Sequence, residues 1–169
     1  MRLTDTVMSF PSLTLIILAV ALLGPSIYNV MIVIGLLGWP GTARLVRSEF
    51  LSLRDREFVV ASRMVGARDH QIILRHILPN ALYPVIVSAT LGIAGAILTE
   101  AGLSFLGLGV QQPTPSWGNM LNEAQKLTVL QRYPWQWVPP GLAIAIAVLV
   151  INFVGDGLRD ALDPRTRSR

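Results

Sequence analysis

The sequence predicts an all-α, polytopic membrane bundle, and three observations carry that prediction. Of 169 residues, 52% are hydrophobic and only 14% are charged, with a mean hydropathy of +0.55. Soluble domains carry about 25% charged residues. The charges fall in blocks between apolar runs of membrane-crossing length. The basic residues also lie almost entirely to one side of those runs, as expected for segments held at a cytosolic face.

The first apolar run is Val7 to Leu23, which closes at Gly24-Pro25. Its length imitates a signal peptide, but Asp5 and Pro11 interrupt the region before Leu13. No small-x-small cleavage site precedes a soluble domain, so it reads as a retained span. The second run, Ile27 to Ala43, ends in Arg44 and Arg47. Gly35, Gly38, Pro40 and Gly41 predict a kink in its arginine-proximal half. The third, Pro79 to Leu98, is rich in small residues, among them Ala81, Ser88, Gly92, Ala94 and Gly95. The fourth, Trp137 to Val154, opens with Trp137 and Pro139-Pro140 and ends near Asp156. About 20 helical residues cross a hydrocarbon core of roughly 30 Å. The third run meets that length; the other three need tilt, interfacial ends or partner helices.

Orientation follows from the arginines. Placing Met1, Arg44 to His76 and the tail after Asp156 on one side gathers Arg2, Arg44, Arg47, Arg54, Arg56, Arg63, Arg68, Arg75, Arg159, Arg165, Arg167 and Arg169 there. Only Lys126 and Arg132 remain opposite. Both ends and the central insert are therefore expected in the cytosol. The loop from Glu100 to Gln136 then faces outward, with Pro113, Pro115 and Pro134 and the interfacial aromatics Trp117, Tyr133 and Trp135. The net charge of +4 and pI near 10.3 do not indicate nucleic acid, because the arginines flank apolar runs without interleaved stacking aromatics. With no cysteine, disulfides and thiolate chemistry are excluded.

The insert Arg54 to Pro79 reads RDREFVVASRMVGARDHQIILRHILP. Glu57 to Val65 predicts a short helix with Phe58, Ala61 and Val65 on one face. Gly66 ends it or permits a sharp turn. A second helical stretch, Asp69 to Leu78, has Asp69 as its expected N-cap and leads into Pro79, in the first turn of the next span. Small Ala61 and Ser62 would let the first helix sit deep in a partner's groove, and Gly66 would let two backbones approach closely. An amphipathic helix lying in the lipid interface fits equally well.

Three segments resemble one family. Val60-Ala61-Ser62, then Gly66, then a four-residue element ending Leu78-Pro79 is similar to the "EAA" loop of binding-protein-dependent ABC importer permeases. That pattern is Glu-Ala-Ala, three residues, Gly, nine residues, Ile-x-Leu-Pro; Val60 and His76 depart from it. Ala101-Gly102-Leu103-Ser104-Phe105-Leu106-Gly107-Leu108-Gly109, followed by Gln111, Pro113, Pro115, Ser116, Trp117 and Gly118, resembles the outer loop of dipeptide, oligopeptide and nickel permeases. So does the end, Gly155-Asp156-Gly157-Leu158-Arg159-Asp160-Ala161-Leu162-Asp163-Pro164.

The resemblance implies the type I ABC importer permease fold. It implies one permease domain over residues 1–169, with about four spans, a coupling loop near 54–79 and an outer loop near 100–136. The chain would be the inner-membrane permease subunit of an ATP-driven importer in a bacterial or archaeal cytoplasmic membrane. Its cargo would be dipeptides, oligopeptides or small solutes such as nickel complexes. Its implied partners are cytosolic ATPase subunits, a second permease subunit in a heterodimer, an extracytoplasmic solute-binding protein and lipid. The coupling helix would present Phe58, Val60, Ala61, Ser62, Met64, Val65 and Gly66 to the ATPase cleft. Arg63 and Arg68 would meet the polar rim, while Leu78 and Pro79 fix the junction with the span. Full-length relatives carry about six spans, so the chain is expected to lack N-terminal ones. Arg2-Leu3-Thr4-Asp5 would stand as the link leaving an upstream span.

Other polar residues carry blander expectations. Glu100 reads as a solvated helix end rather than an ion or substrate group. Ser88, Thr90, Thr99 and Asn152 read as helix-packing residues. Asp156, Arg159 and Asp160 are spaced for pairing at a helix end. His70 and His76 lack metal-ligand spacing, and no phosphate-binding Gly-x-x-x-x-Gly-Lys-Ser/Thr is present. No cofactor and no catalytic residues are therefore expected; ATP would be bound by the partner. A self-contained channel or secondary transporter would call for an intramembrane charge or paired broken helices of related sequence. An intramembrane enzyme would need a catalytic pair at membrane depth. The sequence offers none of these.

Overall fold

The computed structural model describes residues 1–162, every regular element of which is helical. Arg165, Arg167, Arg169 and the Asp163-Pro164 end of the C-terminal resemblance lie outside the described residues. The first helices are α1 (Arg2–Met8), α2 (Ser12–Leu23), α3 (Ile27–Leu53) and α4 (Glu57–Met64). Then come α5 (Asp69–Ile72), a π-helical turn (Ile73–Ile77) and α6 (Leu78–Phe105). The chain continues through α7 (Trp117–Glu123), α8 (Leu127–Arg132) and α9 (Pro134–Leu162). Three helices are long and apolar enough to cross a membrane, and a bent pair supplies a fourth candidate span.

The first span departs from expectation. Instead of one run from Val7, α1 and α2 are bent by 81° at the break around Pro11, because proline fixes φ and removes a ladder donor. Arg44 ties α1 back to α3 through Asp5 at 2.9 Å. Both side chains are more than half exposed, so the pair contributes at most about 1 kcal/mol. At the far end of α2, Gly24 has φ +89°. The Asn29 side-chain amide donates to the Leu23 and Gly24 carbonyls at 2.9 and 3.1 Å, closing the turn into α3.

The second span is longer than its apolar run. Helix α3 continues through Pro40 and on to Leu53, so Arg44 and Arg47 extend a rod of about 40 Å rather than open a loop. The third is longer still: Asp69 to Phe105 forms 37 consecutive helical residues, with the π turn just before Leu78-Pro79. Pro79 has no N–H to give the carbonyl four residues back. On the neighbouring carbonyl, of His76, the Asn80 side-chain amide donates at 2.6 Å. Asp69 is the first residue of α5 and Arg68 holds the N-cap position, which corrects the expected cap. Thr90 and Thr99 donate to carbonyls four residues back in their own helix. They do not bridge to a neighbour. Half-buried Asn152 makes no side-chain hydrogen bond among the described residues.

The expected outer loop is largely helical. Helix α6 runs past Glu100 to Phe105, and α7 and α8 follow. The α6 end is a Schellman motif: Leu108 N–H bonds Leu103 O, Gly107 N–H bonds Ser104 O, and Gly107 has φ +77°. The side-chain amides of Asn122 and Gln125 both donate to the Phe105 carbonyl, pulling the end of α7 onto α6. Helix α9 starts at Pro134, before the expected Trp137, and passes through Pro139 and Pro140. These lie in its second turn, where only two ladder bonds are lost.

One apolar cluster joins α2, α3 and α6 through Ile16, Val20, Val30, Val33 and Leu103. Where α7 meets α6 the backbones touch: a Cβ added at Gly118 would lie 2.5 Å from Ala101 O and 2.6 Å from Ser104 Cβ. Gly118→Ala is therefore expected to destabilise by about 1–3 kcal/mol, read as a lowered unfolding midpoint in detergent. Gly92→Ala, where a Cβ meets nothing within 4 Å, is the control expected to leave the midpoint unchanged or raise it.

Candidate functional site

At the arginine-rich end, Arg54-Asp55-Arg56 turns the chain from α3 into α4. An eight-residue helix is too short to be stable alone, so its packing decides whether it exists. Val59 is fully buried and packs with Ile72 and Ile77 of the next helical stretch, with Phe50 and Leu53 of α3 alongside. A hydrophobic joint thus fixes α4 against the ends of two long helices.

The other end of α4 is closed by backbone geometry. Ala67 N–H bonds Ser62 O at 3.1 Å, and Gly66 N–H bonds Arg63 O at 3.0 Å. Gly66 has φ +81°. This is the Schellman motif again, with glycine at the left-handed position. The predicted helix terminator is where it was expected.

The expected docking residues fall on the outer face. Phe58, Val60, Ala61, Arg63, Gly66 and Arg68 are exposed, Ser62 is half-buried, and Leu78 and Pro79 are exposed at the start of α6. Met64 and Val65 are 86% and 89% exposed, although large apolar side chains normally find cover. Val59 was not among the expected residues. Its neighbours Phe58 and Val60 are equally apolar, and only the positions of Ile72 and Ile77 show which of the three points inward. His76, a departure from the motif, has its ring 6.4 Å from that of Phe58. The Ser62 hydroxyl donates to Phe58 O at 2.7 Å, within the helix.

Residues 1–168 match the family described as binding-protein-dependent transport system inner membrane component. The chain belongs to this family. Its bundle is thus the type I permease fold, and α4 carries Val60, Ala61 and Ser62 of the segment that resembles the EAA loop. A peptide permease protein of Brucella ovis is 52% identical over 98% of this chain and 55% of its own length. The dipeptide transport system permease protein of Alkalihalophilus pseudofirmus is 48% identical over 99% of this chain and 54% of its own length. For the glutathione transport system permease protein of Escherichia coli O1:K1 the figures are 47%, 99% and 54%. The chain spans about half the length of these curated relatives.

Because Val59 holds α4 in place, Val59→Asp would set an unpaired charge in the joint, a several-kcal/mol penalty. Limited proteolysis of membrane-inserted protein is expected to show faster cleavage between residues 54 and 68. Cleavage within the membrane-embedded part of α6 should stay unchanged.

Proposed function

We propose that the chain forms the membrane-spanning core of an ATP-driven importer permease for peptides, with α4 as its coupling helix. The observation that carries the reading is the split character of α4: one apolar residue sealed into the bundle, and an apolar face with no cover. Phe58, Val60, Ala61, Met64 and Val65 would enter a cleft of a cytosolic ATPase subunit. Ser62 and Gly66 would leave room for the cleft wall, and Arg63 and Arg68 would meet its polar rim. Closure of two ATPase subunits on ATP would move α4, and through the joint and Leu78-Pro79 move α6. The arginine-rich end and both chain ends would then face the cytosol. A second permease subunit and an external solute-binding protein would complete the assembly. The names of the relatives, peptide, dipeptide and glutathione permeases, support peptides as cargo.

The test is a photo-crosslinker at Ala61 or Ser62 in cells expressing the neighbouring ATPase. Adducts to the ATPase are expected; adducts to lipid alone would overturn the reading. Gly66→Asp adds a side chain where φ is positive, costing about 1–2 kcal/mol in the turn, and sets a carboxylate on the docking face. Uptake should be abolished while membrane insertion survives, read by transport of labelled dipeptide and by membrane fractionation. Normal uptake with Gly66→Asp would exclude α4 as the coupling element.

A further inference from the structure

At the end opposite α4, helices α3, α6 and α7 enclose a groove of about 730 Å³, within the size range of ligand pockets. Its wall is apolar, with Ile27 and Met31 from α3, Ile93 from α6, and Trp117 and Met120 from α7. Glu100 is the one charged side chain among the residues lining it. Its position is set by Ser104, which is fully buried. The Ser104 hydroxyl donates to Glu100 Oε1 at 2.7 Å and accepts from Val110 N–H at 3.0 Å. No basic side chain among the described residues pairs with Glu100.

Glu100 is half-buried, and a carboxylate beside an apolar wall favours a positive or donating group against it. One hydroxyl donor uses a single one of its roughly four acceptor sites. The remaining sites can accept N–H donors from a compact cation. Trp117 adds an aromatic surface in the same groove, a second kind of group that attracts cations. We infer that this groove is a cargo subsite in which Glu100 receives a primary ammonium group, the free amino terminus of a short peptide. The inference rests on the peptide-importer reading and names the part of the chain that would read its cargo. Helix α6 carries both Glu100 and the Leu78-Pro79 junction, so the subsite and the coupling end lie on one helix.

The test uses the complete importer, purified without its solute-binding protein so that selectivity comes from the membrane subunits. It is titrated with alanyl-alanine amide, which keeps the ammonium, and with the N-acetyl form, which lacks it. Intrinsic tryptophan fluorescence is the readout, since Trp117 lines the groove. The wild type should bind the first about tenfold more tightly than the second. Glu100→Gln, which keeps an acceptor for Ser104, should remove that preference, and Glu100→Asp, which keeps the charge, should retain it. No preference in the wild type, or an intact one in Glu100→Gln, overturns the inference. So does loss in the Gln and Asp variants alike, which would make Glu100 a strut for the turn at Val110. If Glu100→Gln instead stops the second membrane subunit from co-purifying, the groove holds that subunit's helix and the inference falls. ATP-dependent uptake by the wild-type preparation with its binding protein tests the importer reading separately.

Discussion

Whatever α4 transmits passes through the joint at Val59. Eight helical residues give too few backbone bonds to offset nucleation, so α4 persists because tertiary burial stabilises it. Val59, Ile72 and Ile77 are at most 2% exposed, and burying each such side chain contributes about 1.5–3 kcal/mol. That total exceeds what exposed pairs such as Arg44–Asp5 contribute. The joint is local and dry, and it touches the helical stretch that becomes α6. Under the proposed coupling, a displacement of α4 would reach the base of a 37-residue rod through this joint.

That rod has bend points built into its first part. The π turn over Ile73–Ile77 and the prolines at 79 and 84 lie within about three turns of each other. Each weakens the i to i−4 ladder, by register or by a missing donor. Beyond Pro84 the helix has no further proline, and it ends in the Schellman turn at Gly107 held by Asn122 and Gln125. The bend points sit beside α4. Under the proposed coupling, a push at α4 would change the α6 angle there rather than slide the whole helix.

Much of this was legible because it rests on backbone rules that act locally. Gly66 as a helix terminator, the short helix from Glu57, and Leu78-Pro79 at the head of a span need only neighbouring residues to predict. The fold class and the number of candidate spans follow from hydropathy alone. What failed to show depends on distant partners or on cooperativity. Phe58, Val59 and Val60 have the same apolar character, and which one turns inward is decided by residues more than ten positions away. The 81° bend at Pro11 did not show because apolar residues lie on both sides of the proline and read as one span. The extension of α3 to Leu53 was hidden by arginines, which are good helix formers and no barrier to helix once outside lipid. Helices α7 and α8 were missed because six or seven residues show too little periodicity, and α7 depends on packing Gly118 against α6. Glu100 is not the helix end the sequence suggested, since α6 continues to Phe105, and the groove beside it is lined by α3 and α7, neither of which its own neighbourhood reveals.

The sparse interior of the bundle follows from the same economy of contacts. In the most apolar stretch of each long helix, only 11–17% is buried within the chain. Gly92, Gly95, Gly141 and Gly157 would each accept a Cβ with nothing within 4 Å, whereas at Gly155 a Cβ would meet Leu91 at 3.2 Å. Small residues let helices approach closely in lipid, and here most of those openings face outward from the chain. Helices α3 and α9 pack on α6, but much of the apolar surface of all three is left uncovered within the chain. Besides the α2–α3–α6 cluster, the backbone is held closely at the Val59 joint and the Gly118 contact. On the proposed reading, the Val59 joint would grip the element that is pushed, and the Gly118 contact would hold α7 on α6 beside the groove.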